Sequence, residues 1–221
     1  MDLTKRAVWA PTDGMDAPSL AKFAQQVEAW GYSALWIPDA MGRDPLVAAS
    51  WMLGNTETLI VATGIANIYG RDVRAMKSGQ IALAEQSGGR FLLGLGVSHA
   101  PFVEGVRGHD YLAPIPTMRN YLEAMAECPY MGQQPAADPP IVIAALGPKM
   151  LALSASHAQG AHPYLVPPEH TAQAREIVGP DTLLCVEQKV LLHRASNSLS
   201  PFHSLQARLS IQEVHMMSIL S

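Results

Sequence analysis

The sequence predicts an α/β protein with a TIM-type (β/α) barrel of about seven strands. Short buried apolar runs alternate with helix-length amphipathic segments, which is typical of a parallel sheet. These runs recur about 20–50 residues apart, and this spacing favours a closed barrel over an open sheet. The glycine-rich turn of a dinucleotide fold does not follow the first run, which also favours a barrel.

The predicted strands are the buried runs, and helices fill the gaps between them. The strands cover residues 6–10, 34–37, 59–65, 91–95, 141–145, 162–166 and 183–192. The helices cover residues 19–30, 46–53, 71–86, 118–125, 148–158 and 168–178. The first helix places Leu20, Phe23, Ala24 and Val27 on one apolar stripe, which is the pattern of a helix packed on a core. Gly160 is expected to end the helix that precedes the sixth strand.

Two segments depart from the repeat of strands and helices. Residues 100–116 form a long loop, and in compact domains such a loop is usually functional or disordered. We divide the chain into a barrel over residues 1–192 and an atypical serine-rich tail over residues 193–221. The tail is expected to be disordered or to form an amphipathic helix over residues 202–216. Because no eighth strand is recognisable, the open edge is covered by the tail or by a second subunit, or the natural chain is truncated or frame-shifted here.

The composition limits the kinds of partner that we expect. The 221 residues carry a formal net charge of −4, and 15% of them are charged, against about 25% in typical domains. No basic patch stands out, so we expect no nucleic-acid partner. The distant Cys128 and Cys185 favour neither a disulfide framework nor a metal site. Without an apolar leader or a run of about 18 apolar residues, we expect a cytoplasmic protein with no membrane partner.

Residues 59–99 carry the pattern most typical of a ligand site. They are predicted as strand, helix and strand, and the strands must be parallel because a helix-length crossover joins them. Ligands of parallel α/β folds bind at the carboxyl ends of the strands. The two strand ends here are Thr63-Gly64-Ile65-Ala66-Asn67 and Gly94-Leu95-Gly96-Val97-Ser98-His99. Small and polar residues at both ends indicate a flat ligand that lies close to the backbone.

A second candidate site follows the fifth predicted strand. Its residues are Ala145, Leu146, Gly147, Pro148 and Lys149. Proline near the first helical position marks a helix start. The free N–H groups and the dipole of such a helix favour an anion, and in barrels this anion is commonly a phosphate. Lys149 is either a counter-charge for that anion or a solvated lysine of the first turn.

The order and spacing of four motifs resemble the luciferase-like monooxygenase superfamily over about residues 1–192. The motifs are TGIAN at residues 63–67, SGGRF at residues 87–91, GLG at residues 94–96 and ALGPKM at residues 145–150. The chain resembles the branch that uses the deazaflavin coenzyme F420 more than the FMN branch. The resemblance implies a barrel enzyme that transfers a hydride between F420 and a small organic substrate. The alternatives are an FMN-dependent monooxygenase and a shortened barrel that binds a flavin or a partner without turnover. A homodimer is a further expectation.

The resemblance also implies the cofactor-binding residues. Gly64 and Ile65 stand where the family often has a bulge with a non-prolyl cis peptide behind the flavin ring, although an ordinary glycine at a strand end is the alternative. Ala66 and Asn67 then line the ring edge, and residues 145–149 bind the cofactor phosphate. The complete expected set is Thr63, Gly64, Ile65, Ala66, Asn67, Gly96, Ser98, Ala145, Leu146, Gly147, Pro148 and Lys149.

Asp39 and His99 are the expected catalytic residues. Asp39 ends the second strand and points to the barrel mouth, where it orients the ring or the substrate; capping the next turn is the alternative role. His99 follows the fourth strand and can supply a proton near neutral pH, because the pKa of histidine is about 6.5. A structural histidine is the alternative. His162 and Glu187 are weaker candidates, and no metal ligands are expected.

Overall fold

The computed structural model describes residues 1, 3, 5–190 and 214–220, and it is a TIM-like (β/α) barrel, as predicted. The strands are β1 (Ala7–Trp9), β2 (Ala34–Ile37), β3 (Ile60–Thr63), β4 (Ala66–Asn67), β5 (Phe91–Gly96), β6 (Ile141–Ala144), β7 (Gly160–His162), β8 (Leu183–Val190) and β9 (Val214–Leu220). The helices are α1 (Ala17–Ala29), α2 (Pro45–Gly54), α3 (Val73–Gln86), α4 (Ala100–Gly105), α5 (Pro114–Glu127), α6 (Pro148–His157) and α7 (Pro168–Val178). A short 3₁₀ turn covers Ile68–Gly70.

The strands pair in the order β1, β2, β3, β5, β6, β7 and β8, and all of these pairs are parallel. β9 occupies the remaining position between β8 and β1 and is antiparallel to both. A segment of the tail therefore covers the open edge, which is one of the alternatives that the sequence left open, and it does so as an antiparallel strand that the sequence pattern did not reveal. The helix expected over residues 202–216 lies mostly outside the described residues, and residues 214–216 belong to β9.

Two other predicted boundaries are wrong. The sixth barrel strand is Gly160–His162 rather than residues 162–166, whereas the preceding helix ends at His157, within one residue of its predicted end. A Cβ atom on Gly160 would lie 2.5 Å from the Leu183 carbonyl oxygen, so this glycine permits close pairing of β7 with β8 instead of ending a helix. Residues 100–116 are also not one loop, because α4 and the start of α5 lie within them.

The barrel interior is filled by side chains that alternate along the strands. In β2, Ala34 and Trp36 belong to an inner cluster, whereas Leu35 and Ile37 belong to the larger cluster between sheet and helices. This period of two is the pattern of a strand buried on both faces. The inner cluster is Ala7, Ala34, Trp36, Ile60, Ala62, Leu92, Val142 and Cys185. Most of these residues are small or medium-sized, so the fully buried indole of Trp36 is the largest side chain in the barrel interior.

A bulge interrupts the wall between β3 and β4. Val61 pairs with Phe91 and Ala66 pairs with Leu95, so the β3–β4 side carries one residue more than β5 over the same span. Such an insertion bends a strand and redirects its side chains. The peptide bond between Gly64 and Ile65, inside the bulge, is cis, which agrees with the expectation from the resemblance.

Gly94 of β5 lies directly against this bulge. A Cβ atom on Gly94 would lie 2.0 Å from the Thr63 carbonyl oxygen. The Thr63 hydroxyl donates to the Gly94 carbonyl oxygen at 2.7 Å and accepts from the Gly94 N–H at 2.9 Å. The two backbones therefore approach more closely than any residue with a side chain at position 94 would allow.

We expect Gly94→Ala to lower the free energy of unfolding by more than about 3 kcal/mol, because the new methyl group collides with backbone that cannot move alone. Urea denaturation followed by circular dichroism measures this effect. Gly54→Ala is the matched control, since a Cβ atom at the end of α2 meets nothing within 4 Å. We expect that control to change stability by less than about 1 kcal/mol. Equal stabilities for the two variants would contradict the packing described at the bulge.

Candidate functional site

A cavity of about 880 Å³ opens at the carboxyl ends of the barrel strands. Its lining residues follow β2, β3, β5, β6 and β7, as expected for a ligand site of this fold. Apolar walls come from Trp9, Pro38, Ile65, Val97, Ile115, Leu146, Met150 and Leu165. The polar side chains are Asp39, Ser98, His99, Lys149, His162, Tyr164 and Glu187. The volume and the mixture of apolar walls with few polar groups are typical of a small-molecule site.

The structure brings most of the predicted site residues together around this cavity. Those that line it are Asp39, Gly64, Ile65, Ser98, His99, Leu146, Gly147, Pro148 and Lys149. Those that do not are Thr63, Ala66, Asn67, Gly96 and Ala145, which are buried behind the wall. The Asn67 Oδ1 atom accepts from the Tyr69 N–H at 2.9 Å, while its buried Nδ2 atom has no hydrogen-bond partner among the described residues. These buried residues therefore shape the wall from behind and do not face the cavity.

The cavity wall at Gly64 is formed by backbone rather than by a side chain. A Cβ atom on Gly64 would lie 2.9 Å from Trp9 Nε1 and 3.3 Å from His162 Nε2. The Trp9 indole N–H donates to the Gly64 carbonyl oxygen at 2.9 Å. On the opposite side of the bulge, a Cβ atom on Gly96 would lie 2.5 Å from the Ile65 side chain. Glycine at both positions lets the bulge fit between β1 and β5.

Asp39 lies at the edge of the cavity with both carboxylate oxygens occupied. Oδ1 accepts from Arg107 Nη2 at 2.9 Å. Oδ2 accepts from Arg71 Nη1 at 3.2 Å and from the Asn67 N–H at 3.1 Å. The Asp39 side chain is only 7% exposed, so these ion pairs are largely shielded from water. Arg71 also pairs with Asp44. The carboxylate therefore joins the segments that follow β2, β4 and α4.

Arg71 and Arg107 were not predicted as site residues. They are 32 and 68 positions from Asp39 in the sequence, so no local spacing relates them to it. A buried carboxylate needs counter-charges, but the sequence does not indicate which of its arginines provide them. Arg107 also lies over the Phe102 ring, with 5.4 Å between the guanidinium carbon and the ring centroid.

His99 and Tyr164 meet at the cavity mouth. His99 Nε2 and the Tyr164 hydroxyl oxygen are 3.2 Å apart, and His99 is exposed at the start of α4. Tyr164 follows β7, two residues beyond His162, and the sequence analysis did not select it. The preceding residue, Ser98, has a φ of +59°, and its carbonyl oxygen accepts from the Tyr111 hydroxyl at 3.2 Å. These contacts fix the turn that presents His99.

His162 lies deep in the cavity wall and is 2% exposed. Its Nδ1 atom is 2.8 Å from the Cys185 carbonyl oxygen, and its ring stacks on Trp36 with 4.9 Å between centroids. Burial lowers the pKa of His162 and outweighs the hydrogen bond to Cys185 and the charge of Glu187, which both favour protonation. Glu187, which is 5% exposed, lines the same cavity. Both weaker candidates of the sequence analysis therefore lie at the site.

The amino-terminal end of α6 borders the cavity on another side. Gly147 caps this helix without a side-chain hydrogen bond, and Gly147 and Lys149 are exposed. His170 Nε2 lies 2.7 Å from the Leu146 carbonyl oxygen and holds the preceding loop against α7. The helix dipole and the N–H groups of the first turn favour an anionic group at this place.

The described residues contain neither a disulfide nor a cluster of metal ligands. Cys128 and Cys185 are both free, and burial raises the pKa of Cys185 to about 12. Within the described ranges, His, Cys, Asp and Glu do not gather in groups of three or more that could hold a metal ion. None of the described helices combines the length and the hydropathy that a membrane span requires.

Comparison with known proteins identifies the family. A protein named as a coenzyme F420-dependent oxidoreductase of Mycobacterium tuberculosis is 25% identical over 186 residues, covering 71% of this chain and 54% of that protein. The chain thus spans about half the length of this curated relative. Coenzyme F420-dependent tetrahydromethanopterin reductase from Methanopyrus kandleri superposes with a TM-score of 0.67 at 19% identity, covering 80% of this chain and 60% of that one.

A monooxygenase from Streptomyces bottropensis superposes with a TM-score of 0.63 at 14% identity, covering 74% of this chain and 60% of that one. These two structural similarities show the fold. Residues 1–179 match the family model described as luciferase-like monooxygenase. Since this match covers most of the chain, the protein belongs to the luciferase-like monooxygenase family.

Proposed function

We propose that the protein is an oxidoreductase that transfers a hydride between the deazaflavin coenzyme F420 and a small organic substrate. The observation that carries the proposal is the combination of an apolar cavity, a backbone bulge in its wall and an anion-favouring helix end at its rim. The relative named as F420-dependent supports this choice of coenzyme. A riboflavin lyase solved with modified FMN also superposes on the chain, so FMN is the second candidate cofactor.

The residues around the cavity fit a ligand that has both a flat ring and a phosphate. Ile65, Val97 and Leu146 offer apolar surface to a ring, and the cavity is large enough for a tricyclic one. The N–H groups at the start of α6 and the Lys149 ammonium suit a phosphate. The bound coenzyme would supply hydride exchange at its C5 carbon, while the protein supplies orientation and charge.

The polar residues have different tasks in this proposal. Gly147 and Lys149 hold the phosphate. Asp39 orients the loops around the ring and does not transfer a proton, because three donors already occupy its oxygens. His99 exchanges a proton with the substrate at the mouth, where the Tyr164 hydroxyl fixes its ring.

The first prediction from the proposed function concerns cofactor choice. We expect purified protein to bind F420 with a Kd of about 10 µM or lower and FMN at least tenfold more weakly. Fluorescence titration at physiological salt with both cofactors measures this preference. Tighter binding of FMN would move the protein to the oxygen-dependent monooxygenases. Binding of neither cofactor would contradict the oxidoreductase proposal and favour a barrel without turnover.

The second prediction concerns the phosphate site. We expect Lys149→Met to weaken F420 binding by about three- to tenfold, because an exposed cation near a helix end contributes about 1 kcal/mol. The dependence of the Kd on salt concentration should also decrease. Lys22→Met removes an exposed lysine of α1, far from the cavity, and serves as the matched control. Unchanged affinity and salt dependence in the Lys149 variant would exclude Lys149 as the counter-charge.

The third prediction concerns Asp39. We expect Asp39→Asn to lower the free energy of unfolding by about 2–4 kcal/mol, because Arg71 and Arg107 then remain largely buried without their shared counter-charge. Urea denaturation measures the loss, and the exposed Asp181→Asn is the control. If the variant keeps full stability while its turnover disappears, Asp39 acts on the reacting atoms and our assignment of a positioning role is wrong.

A further inference from the structure

The tautomer of the buried His162 ring follows from its hydrogen bond to Cys185. Nδ1 lies 2.8 Å from the Cys185 carbonyl oxygen. A carbonyl oxygen only accepts hydrogen bonds, so Nδ1 must carry the hydrogen. In the neutral ring, Nε2 is then an acceptor with a lone pair in the plane of the ring. Stacking on Trp36 fixes that plane, so the lone pair of Nε2 has a defined direction.

His162 Nε2 lies beside the bulge and belongs to the cavity lining. It is 3.3 Å from the position of a Cβ atom on Gly64, and His162 is among the residues that form the cavity wall. The nearby Trp9 indole N–H donates to the Gly64 carbonyl oxygen at 2.9 Å. Among the described residues, the hydrogen bond of the His162 ring is the one at Nδ1, and none is formed at Nε2. His162 as a whole is only 2% exposed, so little bulk water reaches its ring.

Within the described part of the chain, this acceptor thus has no donor at the place where a ligand would touch the wall. Glu187 lines the same cavity and its charge acts on His162, whereas His99, Tyr164 and Lys149 lie at the mouth or rim. A ligand N–H group at this point would donate a hydrogen bond to Nε2. That bond would replace the one that the N–H group makes with water, so the group would lose little free energy on entering the cavity. Flavin and deazaflavin rings both carry such a group, the imide N–H between the two pyrimidine carbonyls.

We propose that His162 is a cofactor-binding residue whose Nε2 atom accepts a hydrogen bond from the imide N–H of the flavin or deazaflavin ring. This inference rests on the proposed function, because it requires a ring-bearing cofactor in the cavity. It assigns His162 to recognition of the ring edge. It also explains why a histidine, and not an aliphatic residue, stands among the packed side chains of the barrel interior.

The test removes either partner of the proposed hydrogen bond. The probes are the cofactor that binds more tightly, F420 or FMN, and the same cofactor methylated at the imide nitrogen. We expect the wild-type protein to bind the methylated form at least tenfold more weakly. His162→Phe should bind the unmodified cofactor at least tenfold more weakly than wild type and should no longer distinguish the two forms. His162→Gln, whose side-chain oxygen can accept, should recover part of the affinity.

Matched controls separate recognition from folding. His157→Phe makes the same change at an exposed position of α6 and should bind both forms as the wild type does. Thermal unfolding of each variant reports whether it is folded, and a purely structural role for His162 would lower stability without removing discrimination against the methyl group. The wild-type comparison needs no variant, so equal binding of the two forms by wild type overturns the inference even if His162→Phe does not fold.

The outcomes also distinguish this inference from the proposed function. If the wild-type protein binds neither F420 nor FMN, the proposed function fails and the role of His162 toward the ring fails with it. If it binds one of them but tolerates methylation, or if His162→Phe still discriminates, only the inference about His162 is overturned.

Discussion

The close approach of Gly94 to the bulge at Thr63 is the contact on which the cavity wall depends. With no side chain at position 94, the Thr63 hydroxyl can bond both the N–H and the carbonyl group of Gly94. This fixes the end of β3 and directs the following residues, Gly64 and Ile65, away from regular pairing. Gly64 then reaches the Trp9 indole, and Ile65 packs on Gly96. A small set of contacts around the bulge thus positions the part of the cavity wall that Gly64 and Ile65 form.

Charge burial decides the role that Asp39 can have. A carboxylate with 7% exposure needs donors that stay in place. Arg71 and Arg107 provide them, and each comes from a different segment above the barrel. The same ion pairs that stabilise the carboxylate also connect these segments at the mouth. A group bound in this way is suited to maintaining geometry, whereas a proton-transfer residue must be free to change its partner.

The sequence predicted those features that depend on local patterns. Apolar runs identified the parallel strands, and the family resemblance carried by the motif at residues 63–67 implied the bulge. Features that depend on distant contacts were missed. In the sequence Gly160 has the pattern of a helix end, and only its contact with Leu183 of β8 shows that it serves strand pairing. β9 lies in a serine-rich segment without a clear strand pattern, and its position follows only from pairing with β1 and β8. The arginine partners of Asp39 were missed for the same reason, because they lie 32 and 68 positions from it in the sequence.

The depth of each polar group in the cavity suggests a division of tasks. His99 is exposed at the mouth, where solvent and a bound molecule can both reach its imidazole. His162 is buried against Trp36, and burial lowers its pKa, so the ring favours the neutral form. A neutral imidazole fixed in one tautomer is a poor proton carrier and a good recognition element. The two histidines of this site have the same side chain, but one is exposed and the other is buried. This difference in burial suits them to different functions.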